Sequence, residues 1–244
     1  MSIKLFQFAI SHYCEKSRWA LDFKGIQYQT VNLLPGTHVK TIRRLADGSS
    51  VPVLEHDGKA VQGSARIIDY LDENFPDHPL TPEDPEEKAE AEAWEGRLDE
   101  RAGVAVRCYC YHHLLKKPDL VVPLLAAQKP MVYRWGMRLG FSRLEDSMRR
   151  WMNINDRTAA AAQVTMENIL AALEAAYGQS EYLTGNRFSR ADLTAAALFS
   201  PLFMPARYPV AWPDRKQLPV EMQRWLDKNQ WLLQPLEAIY QNHR

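Results

Sequence analysis

The chain carries no excess of either charge, because thirty Lys and Arg balance thirty Asp and Glu over its 244 residues. That balance removes the basic footprint of a dedicated nucleic-acid binder, so no nucleic-acid partner is expected. No apolar run approaches the roughly 18 residues that cross a bilayer. The opening Met1-Ser2-Ile3-Lys4-Leu5 has neither the basic segment nor the apolar stretch of a secretion signal. The expectation is a cytoplasmic protein with no membrane partner. Cysteine is scarce: Cys14, Cys108 and Cys110 are odd in number and too few for a disulfide framework, which fits a reducing compartment. There is no internal repeat of solenoid period and no low-complexity segment. What remains is ordinary globular composition, 46% hydrophobic and 25% charged, with a length between one large domain and two modest ones.

The first eighty residues alternate between strand and helix signals. Lys4 to Ile10 is rich in aromatic and branched residues and predicts a strand. From Cys14, the residues Trp19, Ala20 and Phe23 recur at helical spacing until Gly25, a natural terminator. Gln27 to Leu33 predicts a second strand closed by Pro35-Gly36, and Val39 to Ala46 a short basic helix. Val51 to Leu54 and Ala60-Val61 flank Asp57-Gly58, a pair suited to the positive backbone angles of a tight hairpin. Ser64 then precedes Ile67, Ile68, Leu71 and Phe75, which predicts an amphipathic helix capped by the serine hydroxyl. The result is a β-α-β-α-β-β-α unit.

Phe75 to Pro85 holds four prolines among acidic residues and reads as an exposed linker. We therefore expect one domain over residues 1–76, a linker over 77–85 and a second domain over 86–244. The second shows no strand alternation, only segments rich in Ala, Leu, Glu and Arg, and is expected to be all helical. Its sharpest local signal is Phe188-Ser189-Arg190-Ala191-Asp192-Leu193, the pattern of a capping box with a hydrophobic staple.

Chemistry is expected where Ser11-His12-Tyr13-Cys14 joins the first strand to its helix, since a hydroxyl, a thiol and several amides there meet the positive end of a helix dipole. Such a turn favours bound anions. This segment with Arg18, then Val51-Pro52 before the hairpin, Gln62-Gly63-Ser64 opening the third helix and the Ser189 to Asp192 box follow one another in an order that resembles a cytosolic glutathione transferase. The resemblance covers nearly the whole chain. It implies an α/β thioredoxin-like N-terminal domain that binds glutathione, an all-α C-terminal domain that forms the hydrophobic substrate side, and a homodimer.

By that resemblance, Ser11 matches the residue that donates a hydrogen bond to the glutathione sulfur, in a place where other members hold a reactive cysteine. Pro52 matches the cis-proline of the fold, and Val51 would exchange backbone hydrogen bonds with the cysteinyl part of the tripeptide. Ser64 and the amides beside it would hold the γ-glutamyl carboxylate, as a helix N-terminus also favours. Gly63 stands where many members have an acidic residue or glutamine, so the tripeptide's amine is expected to be held differently. Lys40, with Arg43 and Arg44, could reach the glycine carboxylate or form a solvated charged face. His12 replaces a common proline and is expected to face solvent, although it would otherwise place a titrating group near the sulfur.

Cys14 is the rival nucleophile, either an exposed thiolate or a side chain turned toward the sheet. His12, Tyr13, Tyr109 and Tyr111, with Tyr133 and Trp135, are candidates to line an apolar pocket, and Met204, Tyr208 and Trp212 are ambiguous. Cys108 and His112 stand at i and i+4 but lack a second ligand pair, so no metal is expected. The leading function is transfer of the glutathione thiolate to a small hydrophobic electrophile. The alternatives are a reductase or peroxidase acting through Cys14 and a non-catalytic binding module of the same fold.

Overall fold

The computed structural model describes residues 2–244. Strand β1 (Ile3–Gln7) is followed by helix α1 (His12–Phe23), β2 (Gln29–Asn32), α2 (His38–Ile42), β3 (Val53–His56), β4 (Lys59–Gln62) and α3 (Ser64–Asn74). The sheet order is β2-β1-β3-β4, with β1 parallel to β2 and antiparallel to β3, and β3 antiparallel to β4. Successive side chains of a strand leave opposite faces, and that period divides the core. Leu5 and Leu54 pack under α1 and α3 with Trp19, Ile67 and Leu71, while their neighbours Phe6 and Val53 pack under α2 with Ile42. Asp57 and Gly58 both take positive φ, 47° and 87°, and close the β3–β4 hairpin.

One local expectation differs from the structure. Ser64 is the first residue inside α3 rather than its cap; Gly63 holds the cap position at φ 100°, where the missing Cβ removes the steric cost. The proline-rich segment is mostly exposed and is tied to the first domain at several points. Lys24 Nζ donates to the carbonyls of Phe75, Asp77 and His78 and pairs with Asp72. The Asp72 carboxylate in turn accepts the amides of Leu80 and Thr81, and the Leu80 side chain is buried.

Asp84 then caps α4 (Pro85–Arg97), accepting the amides of Glu86 and Glu87. The helix continues through a π-helical turn (Leu98–Gly103) into α5 (Val104–Leu114). Helices α6 (Pro118–Leu125), α7 (Met131–Leu139), α8 (Phe141–Trp151), α9 (Asp156–Tyr177), α10 (Arg190–Phe203) and α11 (Val220–His243) complete the chain. No helix among the described residues is long and apolar enough to cross a membrane. Helix α10 is the hub, touching α1, α4, α5 and α11, and its run Ala195-Ala196-Ala197 is fully buried, because small side chains let neighbouring backbones approach. Ser189 and Asp192 form the expected reciprocal box, and the buried Asp192 carboxylate also accepts the Leu183 amide and the Tyr177 hydroxyl. Phe188 shares a cluster with Leu193, and its ring stacks on Trp19 and His243.

Candidate active site

The strand register gathers the candidate residues. β1 and β2 end, β3 begins and β4 ends at one edge of the sheet, because Phe6 faces Val31 on one side and Val53 on the other, and Val53 faces Gln62. The Ser11 turn, Val51-Pro52, Gly63-Ser64 and the segment entering α2 therefore share that edge. The Val51-Pro52 peptide is cis, and the Gly63 amide donates to the Pro52 carbonyl at 3.0 Å, tying two of these loops together.

Ser11 is the N-cap of α1. Its Oγ accepts the Cys14 amide at 3.3 Å, while its own amide donates to the Phe8 carbonyl. A serine hydroxyl has one donor and two acceptor sites, so capping uses its lone pair and leaves its proton free. Inside the turn the hydroxyl's one neighbour able to take that proton is the buried Cys14 sulfur, a weak acceptor while it is a thiol, and the side chain opens on a large cavity. Capping and donation to a ligand are thus compatible roles for the same oxygen.

The rest of the turn is fixed by the second domain. Tyr13 Oη donates to the Asp99 carbonyl at 2.6 Å, and His12 Nε2 donates to the Gly103 carbonyl at 3.0 Å. Both carbonyls lie in the π-helical turn, where hydrogen bonds lengthened to i+5 change which backbone groups face outward. Gly103 is required by this contact: a β-carbon there would stand 2.3 Å from Tyr13 Oη. His12 does not face solvent. Its ring is buried, and burial, helped by the nearby Arg107 charge, holds its pKa down at about 3, so it is neutral. Burial likewise raises the Tyr13 hydroxyl well above its usual range, so this phenol keeps its proton on Asp99.

Between the domains lies a cavity of about 810 Å³. From the first domain it is lined by Phe8, Ile10, Ser11, His12, Tyr13 and Val51, and from α5 by Val106, Arg107, Cys110, Tyr111 and Leu114. Those α5 positions follow i, i+1, i+4, i+5 and i+8, a single helical face. Tyr109 is not on it. It lies on the opposite side of α5, buried against the rings of His113 and Trp225 at 4.8 and 5.3 Å. Tyr133 and Trp135 are likewise outside the cavity and exposed on α7, whereas Met204 and Trp212 line it. Tyr208 sits behind the wall, donating to the Ile10 carbonyl.

Cys14 is turned inward with no exposed surface, and burial raises its thiol pKa despite the nearby Arg18. The geometry therefore gives it no access to the cavity. Cys110 borders the cavity but is also buried and raised, to about 12. Cys108 approaches the Thr158 hydroxyl, and His112 approaches Lys116 and Asp156.

Two family models, described as Glutathione S-transferase, N-terminal domain and Glutathione S-transferase, C-terminal domain, match residues 5–82 and 116–228. The chain belongs to the glutathione S-transferase family. It is 31% identical over 110 residues to a probable glutathione S-transferase of Nicotiana tabacum, covering 44% of this chain and 48% of that one. With glutathione S-transferase U2 of Arabidopsis thaliana the identity is 33% over 101 residues, covering 41% and 45%. The aligned region thus spans about half the length of these curated relatives, or less. A crystal structure of a glutathione S-transferase from Methylobacterium radiotolerans, in complex with glutathione sulfonate, superposes over 98% of this chain and 90% of that chain. Its TM-score is 0.64 at 20% identity, a likeness of fold.

In this glutathione S-transferase chain, the side chain of Gln62 is already engaged. Its Oε1 accepts the Gly48 amide at 3.2 Å and its Nε2 donates to the Ser50 carbonyl at 2.7 Å, bracing the loop before Val51. Ser64 is buried at the start of α3, and Lys40 is exposed on α2, where its neighbours His38 and Val39 line the cavity and it does not. The feature missed from the sequence is Arg107, a half-buried guanidinium in an apolar wall. The available signal was the five-residue stripe on α5, obscured because α5 also buries its other face against α9.

Proposed function

We propose that the chain is a glutathione-dependent transferase in which Ser11 donates a hydrogen bond to the glutathione sulfur and holds it as a thiolate. The observation that carries this is the Ser11 hydroxyl, fixed as the cap of α1 through a lone pair so that its proton can turn to a ligand, on the wall of the interdomain cavity. A free thiol near pKa 8.5 is about 3% ionised at neutral pH. A hydrogen bond to an ionised partner contributes about 1.5–3 kcal/mol and a helix terminus about 0.3–1, enough together to lower that pKa by roughly two units. The thiolate then attacks an electrophilic carbon of a small hydrophobic molecule seated against α5, activated by lowered pKa rather than by a separate base. His12, neutral and bonded to Gly103, and Tyr13, bonded to Asp99, position the turn and line the electrophile's side with Tyr111.

Glutathione enters this reading as co-substrate, lying along Val51-Pro52 with its γ-glutamyl carboxylate at Ser64 and the α3 amides and its glycine end toward Lys40. Gly63, lacking a side chain, leaves the tripeptide's amine to other groups. The burial of Cys14 weighs against a thiol-based reductase or peroxidase. Work in the cytoplasm as a homodimer is part of the same proposal. Calorimetric titration with glutathione, followed by turnover of an aryl halide, tests it. Binding with heat and saturable turnover is expected; no detectable binding at millimolar glutathione would favour a non-catalytic module.

A further inference from the structure

The cavity wall is not uniformly apolar. Arg107 and Tyr111 stand one turn apart on α5, at i and i+4, and both line the interdomain space. Neither the Arg107 guanidinium nor the Tyr111 hydroxyl has a hydrogen-bond or ion-pair partner among the described residues, whereas most other charged groups at this junction do: Lys16 pairs with Glu95 and Asp99, and Arg18 with Glu15. Among the described residues no Asp or Glu lines the cavity, and the one other Lys or Arg on it, Arg150, is an exposed residue of α8. The nearest ring systems cannot serve as counter-charges. Burial keeps His12 neutral and pushes the Tyr111 phenol up to about 12, so both remain uncharged in the usual pH range. The cavity therefore presents one half-buried positive charge and one phenolic donor, set in hydrocarbon, with nothing of the protein to neutralise them. A planar guanidinium fork beside a hydroxyl matches a carboxylate, which can accept from both.

We propose that Arg107 and Tyr111 form a carboxylate subsite, and that the electrophile conjugated here is an amphipathic acid: an apolar body for the cavity with a carboxylate held on α5. This inference rests on the transferase reading, since it assigns the second substrate of the same site. For an unsaturated ketone acid the step balances without any further reagent. The glutathione thiolate forms a C–S bond to the β-carbon, the alkene electrons move to the carbonyl oxygen as an enolate, and solvent protonates the α-carbon.

The test uses the full chain and a matched pair of probes, a chalcone carrying a ring carboxylate and its methyl ester, with each kcat/KM divided by the uncatalysed rate with glutathione. The acid is expected to be preferred. In Arg107→Met that preference should fall about 10- to 100-fold, the range of a hydrogen bond to a charged group, chiefly through KM. Tyr111→Phe should lower it less, and Arg107→Lys should retain part of it. The saturated acid, which cannot react, supplies a readout without glutathione. Trp212 lines the cavity and Trp151 its rim, so tryptophan fluorescence should report binding that weakens about tenfold or more in Arg107→Met. An unchanged acid-to-ester ratio in Arg107→Met overturns the subsite. So does an equal fall in kcat for both probes with a raised thiol pKa, which would place Arg107 at the sulfur. If the saturated acid binds in an Arg107-dependent way while glutathione does not bind, the subsite stands and the transferase reading fails; glutathione turnover of the ester with no Arg107-dependent binding of the acid has the opposite meaning.

Discussion

Replacing Ser11 by alanine separates the two jobs of one oxygen. The substitution removes the acceptor of the Cys14 amide, and loss of such a cap costs about 1 kcal/mol of stability. It also removes the only hydroxyl of the turn left to donate toward the cavity, since Tyr13 donates to Asp99. A hydrogen bond to a thiolate of about 1.5–3 kcal/mol corresponds to roughly one to two pKa units at 1.36 kcal/mol each. The helix dipole remains, so the glutathione thiol bound to Ser11→Ala should titrate about one to two units higher than in the wild type and within about one unit of free glutathione. At neutral pH, where the bound thiol of the variant is mostly protonated, the ionised fraction and with it turnover should fall by about 3- to 25-fold. The assay is the ultraviolet absorbance of the thiolate in the glutathione complex as a function of pH, with thermal melting to register the lost cap. Ser11→Thr, which keeps a hydroxyl, should restore most of the shift. A bound thiol that titrates at the same pH in Ser11→Ala as in the wild type, with the expected loss of melting temperature, would show that Ser11 only caps the helix.

Three further outcomes follow from the same geometry. Gly103→Val forces a side chain into the space of the Tyr13 ring, and overpacking of this kind costs about 1–3 kcal/mol; kcat/KM should drop while glutathione affinity changes less, as calorimetry beside kinetics would register. His12 has a folded-state pKa near 3 against about 6.5 unfolded, so the unfolded chain takes up a proton first as the pH falls. Its contribution is present above about pH 6.5 and is lost below it by about 1.4 kcal/mol per unit, so urea unfolding of His12→Gln at pH 7 and pH 5 should show a weaker pH dependence than the wild type. Asp192→Ala removes a buried carboxylate that accepts the amides of Leu183 and Ser189 and the hydroxyl of Tyr177; a loss of about 2–4 kcal/mol in chemical denaturation is expected, with Asp192→Asn milder. A change in denaturation midpoint of less than about 0.5 kcal/mol for Asp192→Ala would contradict the role given to that box.

The parts legible in the sequence are those set by neighbours along the chain. Asp57-Gly58 announces its hairpin through the backbone angles it tolerates, and Ser189 and Asp192 announce the start of α10 because their partners lie three residues apart. The alternation Leu5, Phe6 against Val53, Leu54 is enough to place helices on both faces of the sheet. What was illegible depends on contacts across the domain junction. His12 reads as a solvent-facing histidine until Gly103, ninety-one residues away, supplies its acceptor. Tyr109 and Tyr111 are equivalent by composition, and only the position of α9 and α11 decides that one is core and the other cavity wall. Arg107 is an ordinary charged residue in a helix until the absence of a nearby carboxylate is seen.

The π-helical turn has a consequence for access to the cavity. Because its carbonyls grip Tyr13 and His12, and Lys16 is locked to Glu95 and Asp99 beside them, the Ser11 turn and the α5 wall of the cavity are held against each other as one block. Parting them like a clamshell would tear the buried Lys16 ammonium from both of its carboxylates, at a cost of several kcal/mol. A molecule that occupies the cavity is therefore received between fixed walls, and the exposed Arg150 and Trp151 of α8 border the space it would enter through.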